Sequence, residues 1–144
     1  MAERLSVTLH ELVSALDSYA DAVLRDRYDT TFSEFQYLAT LAEVGTVDMT
    51  ALAQCLVITR AAVSKRVPAL VAAGWIQTSR DPANARRVLL SLTPRAVDLV
   101  DRAGGELEAS VHSLIDEPPP VDADLLHSSL RTLLARISER ERPA

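Results

Sequence analysis

The sequence predicts a mainly helical fold of the α+β class, in which four helices precede a small β-hairpin and two helices follow it. Three observations support this order. Apolar residues recur at three- and four-residue steps over most of the chain, as in amphipathic helices. The spacing changes to that of strands only between Trp75 and Leu92. Capping residues, glycines and prolines separate the periodic stretches.

The composition indicates one ordinary globular domain. The chain has 144 residues, of which 48% are hydrophobic and 24% are charged. Its single cysteine, Cys55, cannot form a disulfide within the chain, which favours a reducing compartment. The sequence has neither a signal-peptide pattern nor a run of about 18 apolar residues. We therefore expect a cytoplasmic protein that does not enter a membrane.

The first two helices are predicted from periodicity and capping residues. The first covers about residues 4–27, where one face carries Leu5, Leu9, Leu12, Leu16, Tyr19 and Val23. The second is predicted to begin at Ser33, because Gln36 follows three residues later as in a capping box. Gly45 is expected to end it.

Two shorter helices joined by a tight turn follow. Asp48 is placed to cap a helix over residues 49–56. Thr59 is placed to cap a fourth helix that runs to Ala73 and stops at Gly74. Two helices connected in this way form a helix-turn-helix, in which the second helix can lie in the major groove of DNA.

The hairpin is predicted from two short runs with strand periodicity, Trp75 to Arg80 and Val88 to Leu92. The connector over residues 81–87 has turn-forming residues and ends in two arginines. We therefore predict that it forms a basic wing beside the helix-turn-helix.

The last two helices begin at clear signals. Thr93 followed by Pro94 starts the fifth, three consecutive prolines end it, and Asp122 caps the sixth. Together with the first helix they carry more apolar surface than one small lobe can cover. We expect residues 1–29 and 96–144 to form a helical dimerisation lobe of a single domain, beside a winged-helix lobe at about 30–95. The alternative is that these helices only cover the core of their own chain.

Positive charge is concentrated in the middle of the sequence. The net charge is −5 overall, but residues 59–87, called here the basic segment, carry six cations against one acid. Both flanking regions are acidic, so only this segment attracts phosphate. A solvated basic face is the alternative interpretation.

The fourth helix and the hairpin supply the candidate DNA contacts. Val63, Val67 and Leu70 share the inner face of the helix, which turns small and polar side chains outward. Such residues allow close approach to the groove, while Arg and Lys reach guanine acceptors or phosphates. The predicted DNA-binding residues are Thr59, Arg60, Ala61, Ser64, Lys65, Arg66, Pro68, Asn84, Arg86 and Arg87.

The sequence resembles the MarR family of bacterial regulators from Phe32 to about Leu99. The resemblance is carried, in order, by residues 35–38, Met49 to Ala53, Thr59 to Leu70, Ala73 to Ile76, Arg80-Asp81-Pro82 and Ser91 to Pro94. It implies a homodimeric winged helix-turn-helix protein with its recognition helix at Thr59 to Ala73 and its wing at about Asp81 to Arg87. It also implies binding to a pseudo-palindromic operator and, in many relatives, repression released by a small, often aromatic, ligand.

Three departures from the family pattern bear on the site. The wing of the family usually has an acid two residues before its arginine, whereas this chain has Asn84 before Arg86, so charge pairing is lost. Lys65 stands where arginine is commoner and cannot bind bidentately. Pro68 interrupts the hydrogen bonding of the recognition helix and predicts a kink, which either re-aims the base-contacting half or is simply tolerated.

The aromatic residues, the cysteine and the histidines are further candidates for a site. An effector cavity could be lined by Tyr19, Tyr28, Phe32, Tyr37 and Trp75, although aromatic residues at helical spacing are more often core. Cys55 is expected to face the helix-turn-helix core as an inert thiol, with a redox-sensing regulator as the alternative. The three histidines lack metal-ligand spacing, and we expect neither a metal nor another cofactor.

The sequence therefore favours a DNA-binding regulator. No motif for a nucleophile, a phosphate loop or paired acid–base catalysis is visible, so we do not expect an enzyme. A winged-helix module that binds proteins and no longer binds specific DNA is the second hypothesis. The excess of cations in the basic segment argues against it.

Overall fold

The computed structural model describes residues 4–143 and confirms the predicted fold class. Within these residues it contains six helices and a small three-stranded sheet. In chain order they are α1 (Leu5–Tyr28), α2 (Phe32–Val44), β1 (Val47–Asp48), α3 (Met49–Leu56), α4 (Arg60–Ala72), β2 (Ile76–Asp81), β3 (Asn84–Leu92), α5 (Pro94–Asp116) and α6 (Ala123–Glu141).

The chain divides into two compact units within α5. The first unit runs to Gly105 and holds α1 to α4, the sheet and the first half of α5. The second begins at Glu106 and holds the rest of α5 and α6.

The core of the first unit contains side chains from the helix-turn-helix and from the elements around it. Fully buried side chains come from α1, α2, α3, α4, β2 and β3: Leu24, Leu38, Leu41, Leu52, Val63, Ile76 and Leu90. Full burial of one such side chain stabilises the fold by about 1.5–3 kcal/mol. This shared core fixes α4 and the hairpin on the same support.

The sheet is antiparallel, with β3 between β1 and β2. β3 begins at Asn84, which pairs with Asp81, so the prediction that residues 84–87 belong to the connector was wrong. Only Pro82 and Ala83 form the turn. The hairpin projects beyond the core, where strand residues need no apolar alternation, and periodicity therefore did not detect its outer part.

The predicted helix caps agree with the structure except in α2. Thr31, and not Ser33, caps α2, because its Oγ1 accepts a hydrogen bond from the backbone N–H of Glu34 at 3.1 Å. Asp21 of α1 also supports this terminus, since its Oδ1 accepts from the N–H of Phe32 at 2.9 Å. That bond, followed by the bond from Arg25, lowers the pKa of Asp21.

Helix α6 of the second unit exposes its apolar residues. None of its described side chains is buried, and Leu125, Leu126, Leu133, Leu134 and Ile137 are all exposed. Within the first unit, Leu5 and Leu12 of α1 are exposed as well. Among the described helices, none combines the length and the hydropathy that crossing a membrane requires.

Candidate nucleic-acid interface

The turn between α3 and α4 is closed by a residue in a left-handed conformation. Val57 has φ 57° and ψ 44°, and its N–H bonds back to the end of α3. Ile58 N–H donates to the carbonyl oxygen of Ala53 at 3.0 Å. The side-chain oxygen of Thr59 then accepts from Ala62 N–H at 3.1 Å and starts α4, as predicted.

The faces of α4 are those expected from the sequence. Val63, Val67 and Leu70 are buried. The outward residues are exposed: Arg60, Ala61, Ser64, Lys65 and Pro68. The helix continues without interruption through Pro68. The side chains of α4 that carry the predicted contacts are therefore accessible from solvent.

Arg66 differs from its neighbours on α4. Its side chain is only partly exposed, and its guanidinium carbon lies 6.0 Å from the centre of the Tyr37 ring. This is the outer range of a cation–π contact. Arg66 therefore lies against Tyr37 of α2, while Arg60 and Lys65 are exposed to solvent.

A cavity of about 230 Å³ is lined by residues of both α4 and the hairpin. Four of the predicted DNA-binding residues line it, namely Arg60 and Ser64 of α4 with Arg86 and Arg87 of β3. The remaining lining comes from Asp48, Met49, Thr50 and Val88. The contribution of the first residues of α3 could not be predicted from the sequence, because proximity across 39 residues of chain leaves no local signal.

The two wing arginines have different partners. Arg87 Nε donates to Asp48 Oδ2 at 2.8 Å, and its Nη1 donates to Asp81 Oδ2 at 3.1 Å. Asn84 Oδ1 accepts from the backbone N–H of Arg86 at 3.1 Å and does not bond its guanidinium. Among the described residues, no hydrogen bond or ion pair engages the Arg86 guanidinium, which is exposed.

Asp48 combines two functions at the edge of this cavity. Its Oδ1 accepts from Ala51 N–H at 2.8 Å and caps α3, while Oδ2 holds Arg87. These two bonds, in that order, lower the pKa of Asp48, and the charges of Arg87 and Arg60 contribute further. The bond to Asp48, followed by the bond to Asp81, raises the pKa of Arg87. Asp48 is therefore an anion within a mainly cationic surface.

The aromatic residues predicted for an effector cavity do not all lie together. A cavity of about 470 Å³ at the end of α1 and the start of α5 is lined by Trp75 and Tyr28 with charged residues. The lining of this cavity does not include Tyr19, Phe32 or Tyr37. Tyr19 is exposed, Phe32 is partly buried, and Tyr37 is buried.

Arg95 covers Trp75 in this cavity. Its guanidinium carbon lies 3.9 Å from the centre of the Trp75 ring, and its Nη1 donates to the carbonyl oxygen of Ala73 at 2.6 Å. Trp75 is thus held between the core and a cation, and Arg95 ties α5 to the end of α4.

The prediction that Cys55 faces the core was wrong, since its side chain is exposed. The buried side of α3 is formed by Leu52 and Ala53, with Leu56 partly covered. Successive helical residues are about 100° apart around the axis, which places Ala53 on one side of Leu52 and Cys55 on the other. The buried face is centred between Leu52 and Ala53, so Cys55 lies outside it. Over residues 4–143, no cluster of three or more His, Cys, Asp or Glu side chains could hold a metal ion.

Comparison with known proteins agrees with this architecture. Residues 28–87 match the model of the MarR family. No curated protein sequence matches the chain. FabT from Streptococcus pneumoniae, solved in complex with DNA, has a TM-score of 0.81 at 17% identity and covers 96% of this chain and 98% of its own.

Two further solved structures have the same fold. A mutant MarR from E. coli complexed with operator DNA has a TM-score of 0.77 at 21% identity, with 92% of each chain covered. Bordetella bronchiseptica BpsR, described with regulation of its DNA binding by 6-hydroxynicotinic acid, has a TM-score of 0.74 at 22% identity, with 94% of each chain covered. These comparisons confirm the resemblance found in the sequence: residues 28–87 match the MarR family model, and the chain has the fold of the MarR-family proteins named here.

Proposed function

We propose that this protein is a non-enzymatic transcriptional regulator that binds duplex DNA selectively. The observation that carries the proposal is the convergence of Arg60 and Ser64 of α4 with Arg86 of the wing on one cavity. Cations on two elements that frame one surface suit a duplex, because its phosphates flank both grooves. The acidic regions on either side of the basic segment leave this surface as the favoured docking face.

In this proposal α4 enters a major groove and the hairpin follows the neighbouring minor groove. Ser64 and the small side chain of Ala61 allow the helix to approach base edges, and Arg60 and Lys65 reach guanine or phosphate oxygens. Arg86 enters the minor groove, where narrow A·T-rich tracts concentrate negative potential. Thr59, Arg66, Pro68 and Asn84 complete the proposed contact region, and Arg87 lies beside Arg86 at its edge.

The protein is proposed to act as a homodimer on a pseudo-palindromic operator. Support comes from the apolar side chains that α1 and α6 leave exposed, since large uncovered apolar surface favours association. Residues 1–29 and 96–144 would supply the dimerisation lobe and about 30–95 the DNA-binding lobe. Two recognition helices would then meet half-sites about one helical turn apart.

A ligand-responsive repressor located in the cytoplasm is the finer form of the proposal. BpsR, whose fold this chain shares, is a protein whose DNA binding is regulated by 6-hydroxynicotinic acid. The cavity at Trp75 and Tyr28 offers about 470 Å³ for a small molecule, enough volume for a single aromatic ring. An effector that binds there would weaken DNA binding only if it favours a conformation with lower DNA affinity.

The test is salt-dependent binding of the purified protein to the duplex upstream of its own gene, with a scrambled duplex as control. Selective binding that weakens steeply with salt is expected, because each neutralised phosphate releases counterions. Binding that is weak and equal on both duplexes would instead favour a protein-binding module, provided that duplexes selected from a random pool bind no better. A thiol-sensing regulator would show lower DNA affinity after peroxide treatment, and a Cys55→Ser variant would not.

A further inference from the structure

The wing carries two adjacent arginines in contrasting environments. Arg87 uses Nε and Nη1 to bind the carboxylates of Asp48 and Asp81. Its side chain is 46% exposed, whereas Asp48 and Asp81 are 25% and 15% exposed. Both acids are therefore largely covered and accept Arg87 at the edge of the protein, while Arg86 extends into solvent beside them.

The two carboxylates that hold Arg87 belong to different elements. Asp48 ends β1 and caps α3, and Asp81 ends β2. A guanidinium group is planar with donors in fixed directions, so two acceptors at two of its edges define its orientation. Arg87 therefore joins the outer part of the hairpin to the first turn of the helix-turn-helix.

We propose that Arg87 is a positioning residue for the wing and that Asp48 is its main anchor. The bonds from Arg87 to Asp48 and Asp81 fix the angle of the hairpin and thereby place Arg86 over the DNA. This inference rests on the proposed function. Asn84 cannot serve this purpose alone, because its side chain orients the backbone N–H of Arg86 and leaves the guanidinium unbound.

Electrostatics alone predicts the opposite effect of Asp48. Asp48 lines the same cavity as Arg60 and Arg86, so its negative charge repels phosphate from the proposed interface. Without a positioning role, removal of that charge should tighten binding to any duplex. If Asp48 anchors the wing, the same change should weaken binding to the preferred duplex. The sign of the effect thus separates the two explanations.

The first variant is Asp48→Asn, which keeps a capping oxygen for α3 because Asn caps helices as well as Asp does. Affinities are measured on a selected and a scrambled duplex over a salt series. We expect binding to the selected duplex to weaken about tenfold. This is near the low end of the affinity that is lost when an arginine that contacts a base is removed. The matched control is Asp101→Asn, which removes an equal charge from an exposed site on α5. Equal or tighter binding by Asp48→Asn would overturn the proposal.

The second variant, Arg87→Gln, distinguishes positioning from direct phosphate contact. A phosphate contact predicts that the salt slope falls by about one, while positioning predicts an unchanged slope with weaker selective binding. The double variant combines Asp48→Asn with Arg87→Gln. If Arg87 positions the wing, this variant should lose no more affinity for the selected duplex than Arg87→Gln alone, because both changes break the same ion pair. A reduced slope, or losses that add, would overturn the positioning role.

A measurement without DNA keeps this inference separate from the proposed function. Amide hydrogen exchange of residues 84–87 is followed in the free protein. Faster exchange is expected in Asp48→Asn and Arg87→Gln but not in Asp101→Asn, because the hairpin loses its anchor. If the wild type selects no duplex, the proposed function fails, and the exchange experiment still tests the anchor. Unchanged exchange, or faster exchange with unchanged selectivity, would overturn the inference.

Discussion

The hydroxyl of Thr93 donates to the carbonyl oxygen of Gly74 at 2.7 Å and joins the end of the helix-turn-helix to the start of α5. The same oxygen accepts from the N–H of Ala96 at 3.2 Å, which caps α5. One side chain therefore fixes where β3 ends and how α5 leaves the sheet.

Thr93→Val should lower the free energy of unfolding by about 1 to 2 kcal/mol, because it removes a helix cap and leaves a carbonyl without its donor. Thr93→Ser should retain most of the stability. Urea denaturation measures both. The control is Thr132→Val, since Thr132 donates only to Ser128 on exposed α6 and should matter by less than about 0.5 kcal/mol. Equal effects at the two threonines would contradict the interpretation.

Val57→Gly is expected to stabilise the protein. A β-branched residue with φ 57° is strained, and the side chain is 89% exposed, so little burial is lost. Relief of strain outweighs the added backbone entropy of Gly, for a net gain of about 0.5 to 1 kcal/mol. The control is Val97→Gly, at an exposed position inside α5, which should destabilise instead. Loss of stability at both positions would contradict this account.

The parts of the fold that were predicted correctly have local causes. Asp48, Thr59 and Asp122 each stand just before a periodic apolar stretch, and each caps its helix through the expected side-chain oxygen. The inner face of α4 followed from spacing alone, because helical geometry assigns residues three and four apart to one side.

The parts that were missed depend on contacts between distant residues. β1 has only two residues, too few for any periodic signal, and is a strand because Val47 pairs with Leu90. The partners of Arg87 are another case, since nothing near it in the sequence indicates Asp48. Thr31, with Glu34 three residues later, was also visible in the sequence as a helix start, but the equally spaced Ser33 and Gln36 predicted a later one.

Acid should weaken the stabilisation that Asp48 provides. Its pKa is lowered in the folded protein by the N–H of Ala51 and by Arg87. A lowered folded-state pKa means that the contribution is complete above the ordinary value of 3.8 and is lost as pH falls through the folded value. The difference in free energy of unfolding between the wild type and Asp48→Asn should therefore be constant above pH about 5 and shrink below about 4. A difference that grows in acid would contradict the assignment.

Arg60→Ala and Lys65→Ala test whether α4 reads bases. If either side chain contacts a base edge, binding to the selected duplex should weaken by about 1 to 3 kcal/mol while binding to scrambled DNA changes less. Arg136→Ala removes an equal charge from the exposed α6 and serves as the control. Equal losses on both duplexes would show that Arg60 and Lys65 contact only phosphate.

Pro68→Ala should raise stability and alter DNA preference. Pro68 lies inside α4 and is exposed, so Ala restores a helical hydrogen bond without loss of packing, for a gain of up to about 3 kcal/mol. The control is Pro82→Ala in the hairpin turn, where loss of a restrained φ should cost about 0.4 to 1 kcal/mol.

Our hypothesis is that proline bends α4 and re-aims its first half, which carries Arg60 and Ser64. Binding of Pro68→Ala to a panel of duplex variants measures this, and an unchanged order of preference would refute the hypothesis, even if stability rises.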